Sequence, residues 1–324
     1  MKIIDEEWYH ILAKIEDILT VSTYEFYSKR GYSTLHLPIT TGSISSPMGR
    51  GSDSLPVQIN LFGIDTYLAD SMQFMLEYGC RLDPKGCYYI MPSFRGEKAD
   101  ERHLCQFYHS EVEIEGCLED VMALAEEYVR FLCERLVKNC GEEIKEVTGD
   151  LKHIEKFLKL DKIPRVTTEE AVRIFDEKYP DEHLYEIDNK YNFISINKFG
   201  EKRLMEIFGG FVWLTFFEHL AVPFYQAYDE TGKFAKNADL LFGGGEVIGS
   251  GERHVDSKDV EKALRLHGVD SKDYEWYITM KERRPLRTSG FGMGVERFFM
   301  WILKCDDIRD LQLLPRFNGI SCEP

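Results

Sequence analysis

The segment Thr288-Ser-Gly290-Phe-Gly292-Met-Gly294-Val-Glu296-Arg297 constrains this chain more than any other. Glycines at every second position, with apolar residues between them, fit the period of a strand. The run VERFFMWILK that follows has the apolar spacing of a helix. Alternate glycines clear one face of the strand, so that a flat ring or another backbone can lie on it. Arg297 then falls in the first helical turn, within reach of a phosphate. The spacing is not that of the Gly-x-Gly-x-x-Gly dinucleotide fingerprint, and no βαβ unit surrounds it. Close packing of strand on helix is the competing explanation for the glycines.

The rest of the chain supplies the sheet to which such a strand belongs. A helix is predicted over 5–30, stopped at Gly31, then a strand in STLHLP stopped at Pro38, and a mobile Gly/Ser/Pro-rich loop over 40–56. VQINLF and DTYLA read as strands, Ser71 to Cys80 as a short helix, and CYYIMPSFR with QFYHSEVEIEG as two strands joined by a polar loop. VMALAEEYVRFLCERLV is an amphipathic helix. GFVWLTF, VPFYQAY and DLLFGGGEVIG read as further strands, and 256–267, ended by Gly268, and 271–282 as helices. The charged stretch 140–200 reads as an insertion or lid on one domain spanning 1–324, with a capping box at Thr167 and Glu170. Strands separated by turns, with helices at irregular intervals, predict an α+β fold: an antiparallel sheet flanked by helices, not a doubly wound one.

Composition removes several function classes. No apolar run is long enough to cross a bilayer, and the acidic, amphipathic N-terminus is unlike a targeting peptide. Eight scattered cysteines form no C-x-x-C pair, which fits reduced thiols in a cytoplasmic protein rather than a zinc site. The formal charge of -16 argues against a large nucleic-acid footprint.

Two other constellations carry chemistry. In Phe94-Arg95-Gly-Glu97, followed by Arg102-His103 and then Phe107, an arginine at a strand end beside further cations suits a polyphosphate, because its planar fork matches phosphate oxygens. Glu97 can accept from an amino group such as that of adenine, and Phe107 can stack. A surface Arg–Glu pair on a hairpin is the plainer alternative. In Asp239-Leu-Leu-Phe-Gly-Gly-Gly-Glu246-Val-Ile-Gly-Ser250-Gly-Glu-Arg253, a carboxylate among glycines suits Mg²⁺, which takes one or two carboxylates and fills its other positions with water and phosphate. A glycine-rich hairpin with solvated charges is the alternative there.

Taken in order, these pieces resemble the catalytic domain of class II aminoacyl-tRNA synthetases, in the aspartyl/asparaginyl subgroup. They look closest to the stand-alone archaeal-type asparagine synthetases related to it. GYSTLHLPITT resembles motif 1, FRGE with HLCQFYHSEVEIEG motif 2, GFGMGVERF motif 3, and the closing DDIRDLQLLPR the subgroup's tail. The resemblance implies Arg95 on the α-phosphate of ATP, Glu97 on the adenine amino group, and Phe107 and Arg297 on either side of the adenine. It implies Arg102 and His103 on the outer phosphates, with Gly294 also at the nucleotide. Glu246 and Ser250 would hold Mg²⁺. Arg253 would face the substrate side chain, and Ser71, Gln73, His109 and Gly292 would line the amino-acid subsite.

Several subgroup positions differ. Leu76 stands where a lysine is common, Tyr108-His109 replace Thr-Gln, and Arg287-Thr288-Ser289 replace a histidine-bearing stretch. The implied function is activation of aspartate or a relative with ATP, followed by amide formation with ammonia or another amine. A tRNA or carrier acceptor and a non-catalytic paralogue are the alternatives. A homodimer through residues 10–40 and no membrane partner are expected. With a helix starting almost at Met1, no anticodon-binding domain is expected, and tRNA is not expected as a partner.

Overall fold

The computed structural model describes residues 2–45 and 55–319, so much of the predicted loop 40–56 lies outside the described residues. Helices α1 (Lys2–Asp5) and α2 (Glu7–Lys29) open the chain, and Gly31 (φ 74°) releases it into the short strand β1 (Ser33–Thr34). After β2 (Thr40–Thr41), β3 (Val57–Leu61) and β4 (Ile64–Leu68) form a hairpin. Helix α3 (Gln73–Gly79) leads to the long hairpin of β5 (Cys87–Phe94) and β6 (Gln106–Glu115). Helix α4 (Leu118–Thr148) is kinked at Cys140 and followed by α5 (Lys152–Leu158).

Next come β7 (Arg165–Thr167), α6 (Thr168–Lys178), the hairpin β8 (Tyr185–Asp188) and β9 (Phe193–Ile196), and α7 (Lys198–Ile207). Thr167 caps α6 as predicted: its hydroxyl accepts from the Glu170 N–H at 3.1 Å and the Glu170 carboxylate accepts from the Thr167 N–H at 2.9 Å. Strands β10 (Phe211–Thr215), β11 (Asn237–Phe242) and β12 (Gly245–Glu252) precede α8 (Ser257–His267) and α9 (Glu275–Arg283). Gly268 ends α8 in the left-handed region that its missing side chain permits. The chain closes with β13 (Thr288–Gly294) and α10 (Val295–Leu303).

Eight strands form one sheet in the order β1-β5-β6-β13-β12-β11-β10-β7, antiparallel except for the parallel pairs at its two edges. The α+β expectation holds. VPFYQAY is not a strand: it carries a short helical turn before it and only isolated bridges, Gln226 to Arg253 and Tyr228 to Ala235. Phe216 (φ 55°) breaks the β10 conformation just before this segment, and Pro223 offers no ladder donor.

One face of the sheet is sealed by α2, α4 and α10. Leu12, Ile15, Tyr128, Leu132, Phe298 and Ile302 pack there against Phe291 and Met293 of β13, which are fully buried. Among the described residues, helices cover the opposite face at its ends. At one end α6 and α7 pack Ala171, Phe175 and Leu204 on Val212 and Leu214. Towards the other, α3, α8 and α9 share a cluster around Phe74, Phe224 and Tyr277. The gap between them exposes β6, β13 and β12.

A buried ion cluster fixes α3 to α9. The Glu77 carboxylate accepts from Lys281 Nζ, from Arg81 Nη1 at 3.3 Å and from the Tyr277 hydroxyl, and Lys281 also donates to the His254 carbonyl. Lys281 is fully buried, so its charge is tolerated only through these partners. Lys281→Met should cost about 3–5 kcal/mol in a urea unfolding experiment. Pairing it with Glu77→Leu should recover most of that loss.

Candidate active site

The gap over the sheet has a glycine floor. Antiparallel register sets Gly290 beside Gly251 and Gly292 beside Gly249, and on the other side of β13 places Gly290 against Glu113, Gly292 against Glu111 and Gly294 against His109. With Phe291 and Met293 committed to the core face, the glycines point at the cleft with no side chain. A β-carbon at Gly290 would collide with the Glu113 carboxylate and the Gln73 amide, and one at Gly251 with the Gln226 amide. At Gly292 it would lie 3.1 Å from Glu111 Oε1.

Above the floor is a solvent-open cleft of about 600 Å³ lined by Arg95, Arg102, His103, Phe107, Glu246 and Arg297, with His109, Gly292, Gly294 and Glu296. The two distant arginines and the lone glutamate predicted to converge do share one cavity. Arg297 Nη1 donates to the Glu246 carbonyl at 2.9 Å and lies 3.6 Å from its carboxylate. The Arg95 guanidinium sits 5.3 Å from the centre of the Phe107 ring, a cation–π separation. Burial and the Arg297 charge lower the Arg95 pKa, although a guanidinium stays protonated.

Among the described residues, the buried atoms Arg95 Nε and Glu97 Oε2 have no hydrogen-bond partner. Glu97 is not part of the cleft lining, but an orphaned buried oxygen beside it is what a ligand amino group would satisfy. His103 Nδ1 is 2.9 Å from Asp100 Oδ1, and burial and the Arg297 charge lower its pKa.

A divalent cation fits the outer end of this cleft. A β-carbon at Gly249 would lie 2.8 Å from Glu246 Oε1 and 3.6 Å from Asp239 Oδ1, so two carboxylates face one small cradle. Burial, then the charges of Glu246 and Glu201, push the Asp239 carboxyl well above its ordinary range. A cation would relieve that repulsion. Among the described residues no group of three His, Cys, Asp or Glu could hold a metal alone, which suits Mg²⁺ shared with phosphate and water. Ser250 must be corrected as a ligand: it is buried, donates its hydroxyl to the Ala238 carbonyl at 2.6 Å and does not line the cleft. Sequence reasoning missed Asp239 here. Its signal was the Gly243–Gly245 turn, which folds β11 back on β12 and brings Asp239 and Glu246 together.

The end of the floor expected to take the amino acid is closed by the protein's own side chains. Arg253 donates from Nε and Nη2 to the Glu113 carboxylate, each at 3.1 Å, and from Nη1 to Gln226 Oε1 at 3.0 Å. Arg253 and Glu113 are both fully buried. Gln73 donates to Glu113 and to the Val112 carbonyl. Beside them Glu111 accepts from the Ser71 hydroxyl at 2.9 Å and from the Tyr89 hydroxyl, with His109 Nδ1 at 3.3 Å. Desolvation pushes the Glu111 carboxyl up to about 8, and His109, also desolvated and near Arg95 and Arg297, falls to about 3 and is neutral. Gln73 and Arg253 thus meet at Glu113, Ser71 and His109 meet at Glu111 beside them, and His109 and Gly292 also line the open cleft. Glu111 and Glu113 were read only as strand residues, because alternation along a strand does not tell a cleft face from a solvent face.

Known proteins bear on this geometry. The family profile of tRNA synthetases class II (D, K and N) matches residues 1–318. An asparagine–tRNA ligase of Malacoplasma penetrans is 28% identical over 322 residues, 96% of this chain and 71% of its own. The crystal structure of asparaginyl-tRNA synthetase from Pyrococcus horikoshii complexed with asparaginyl-adenylate superposes with a TM-score of 0.87 at 27% identity, over 98% of this chain and 70% of that one. The Entamoeba histolytica asparaginyl-tRNA synthetase in complex with asparaginyl-adenylate has a TM-score of 0.83 at 22% identity, over 98% of this chain and 69% of that one, a likeness of fold. These findings overturn the expectation that tRNA is not a partner: the matched profile and the relatives are tRNA ligases. Among the described residues no helix is long and apolar enough to cross a membrane.

Glu111 generates a pH prediction. Its carboxyl titrates near 4.5 when solvated and near 8 when folded, so the native state keeps a proton that the unfolded chain releases. Its contribution to stability is complete below about pH 4.5 and is lost as pH rises through 8. Urea midpoints of the wild type should therefore fall relative to Glu111→Gln between pH 5 and 8, and the difference should level off above that.

Proposed function

We propose a function on one premise: this chain belongs to the class II tRNA synthetases of the D, K and N type. Membership makes it an ATP-dependent ligase working through an aminoacyl-adenylate. The finer reading is that the amino acid is asparagine and that the acyl acceptor is a tRNA.

The observation that carries this reading is the Arg253 clamp. A guanidinium already bidentate to a buried carboxylate and tied to Gln226 has no net charge left to attract a side-chain carboxylate. What remains toward a substrate side chain is the amide character of Gln73 and Gln226, which matches a carboxamide. Amide formation from aspartate and ammonia would adenylate one carboxylate and leave the other in this place, which the clamp disfavours. The Malacoplasma and Pyrococcus relatives, both named for asparagine, point the same way.

On this reading ATP supplies the adenylyl group, and Mg²⁺ held by Glu246 and Asp239 would neutralise charge on its phosphates. Arg95 holds the α-phosphate and stabilises charge that grows there during attack by the amino-acid carboxylate. No protein nucleophile is needed, because the gain comes from positioning and charge. Phe107 and Arg297 take the two faces of the adenine, and Glu97 Oε2 accepts from its amino group. Arg102 and His103 meet the outer phosphates. Glu111 pairs with the substrate ammonium once the carboxyl has given its proton to solvent. The segment from α6 to α7, whose Ala171, Phe175 and Leu204 pack on Val212 and Leu214, acts as a cover at the nucleotide end. A homodimer through α2 and the strand after it accounts for the exposed apolar Val21, Tyr24 and Ile39.

Amino-acid-dependent pyrophosphate exchange tests the reading. Asparagine should support exchange and leave label on tRNA, and aspartate should not. Exchange with aspartate, together with ammonia-dependent AMP release, would replace it with the amide-forming alternative. Arg95→Ala should lower exchange by about 100- to 1000-fold without unfolding the chain, and near-normal turnover in that variant would remove the phosphate assignment.

A further inference from the structure

We propose that Glu201 of α7 is a positioning residue for nucleotide binding: it holds the Arg102 guanidinium over Gly245 in place of the outer phosphates and yields it when they arrive. The inference rests on the reading of the cleft as an ATP site.

Three observations converge. Arg102 Nη2 lies 3.3 Å from Glu201 Oε2, joining the β5–β6 loop to a helix 99 residues further along the chain. The pair is half-buried, with side chains 27% and 21% exposed. Both ends of the pair also crowd one point, since a β-carbon on Gly245 would sit 2.5 Å from Arg102 Nη2 and 2.6 Å from Glu201 Oε2. Gly245 immediately precedes Glu246 and has a φ of 132°, open to glycine at low cost. The guanidinium is therefore parked beside the proposed metal carboxylate. Finally, Arg102 borders both the main cleft and a narrow crevice formed with Gly244, Gly245, Glu246, Arg297 and Met300.

The backbone of this loop is pinned, because Asp100 Oδ1 accepts from the N–H groups of both Arg102 and His103 at 2.8 Å. Only the Arg102 side chain has to move to change partners. Glu201 shares its surroundings with Glu246 and Asp239, and the charge of Glu246 acts against it. An arriving phosphate adds negative charge to this group and offers Arg102 a stronger partner. One guanidinium cannot serve both anions fully, so Glu201 is a built-in competitor for the phosphates. Its helix keeps the cation aimed at the cleft while the cleft is empty.

Calorimetry on the whole chain tests this with wild type, Glu201→Gln, Arg102→Ala and the double variant, each titrated with ATP and with AMP. Glu201→Gln removes the competitor's charge at nearly constant shape. It should tighten ATP binding roughly fivefold, the scale of a partly exposed ion pair, and leave AMP binding unchanged. In the Arg102→Ala background the same substitution should have no effect on ATP. Wild type that binds ATP, with Glu201→Gln at the same affinity, would overturn the inference alone. So would an effect that survives Arg102→Ala, or one that appears equally with AMP. Wild type that binds no ATP would overturn the cleft reading together with it.

Discussion

Every functional contact described above depends on the absence of side chains on one face of two strands. In β12 and β13 the inward residues Ile248, Phe291 and Met293 are clamped by the helices behind the sheet, which obliges Gly249, Gly251, Gly290 and Gly292 to face the cleft. Any β-carbon there would displace a carboxylate or amide that now lies flat on the backbone. Close approach of charged side chains to a bare sheet is thus a packing property first. The apolar face supplies the rigidity, and the glycines supply the room.

That floor divides the chemistry in two. At the Gly249 and Gly292 end it is open, with Arg95 and Arg297 on one side and paired carboxylates on the other, an arrangement that calls for an anion and a cation together. At the Gly251 and Gly290 end it is filled by Glu113, Arg253, Gln73 and Gln226, which satisfy one another and leave a neutral polar surface. In the filled half the buried charges are tolerated because Arg253 and Glu113 are paired and hydrogen-bonded, whereas in the open half Arg95 Nε lacks a partner and Asp239 faces the like charge of Glu246. The same rule governs Glu77 and Lys281, which hold α3, and with it Gln73, against the floor.

The formal charge of -16 invited the inference that the chain has no large nucleic-acid footprint. Charge summed over a whole surface does not act at one cleft, because exposed carboxylates more than about 10 Å away are screened by ordinary salt. Arg95, Arg102 and Arg297 are close, partly buried and mutually reinforcing, so they set the local potential. Net composition bears on solubility and steering, while a site is governed by its nearest few groups.

The amino-acid sequence alone determined the local elements and the residues that line the open cleft. Glycine alternation specifies β13, the Thr167 box specifies the start of α6, and Arg95, Phe107, Glu246 and Arg297 stand out by type and spacing. VPFYQAY misled, because apolar and aromatic content does not distinguish a paired strand from a segment wrapped over one. Only tertiary structure decided which face each strand residue took. It turned Ser250 inward to the Ala238 carbonyl, set Asp239 opposite Glu246, drew Glu201 to Arg102, and closed Arg253 on Glu113. Those outcomes depend on register and on elements far apart in the chain, and no local period encodes them.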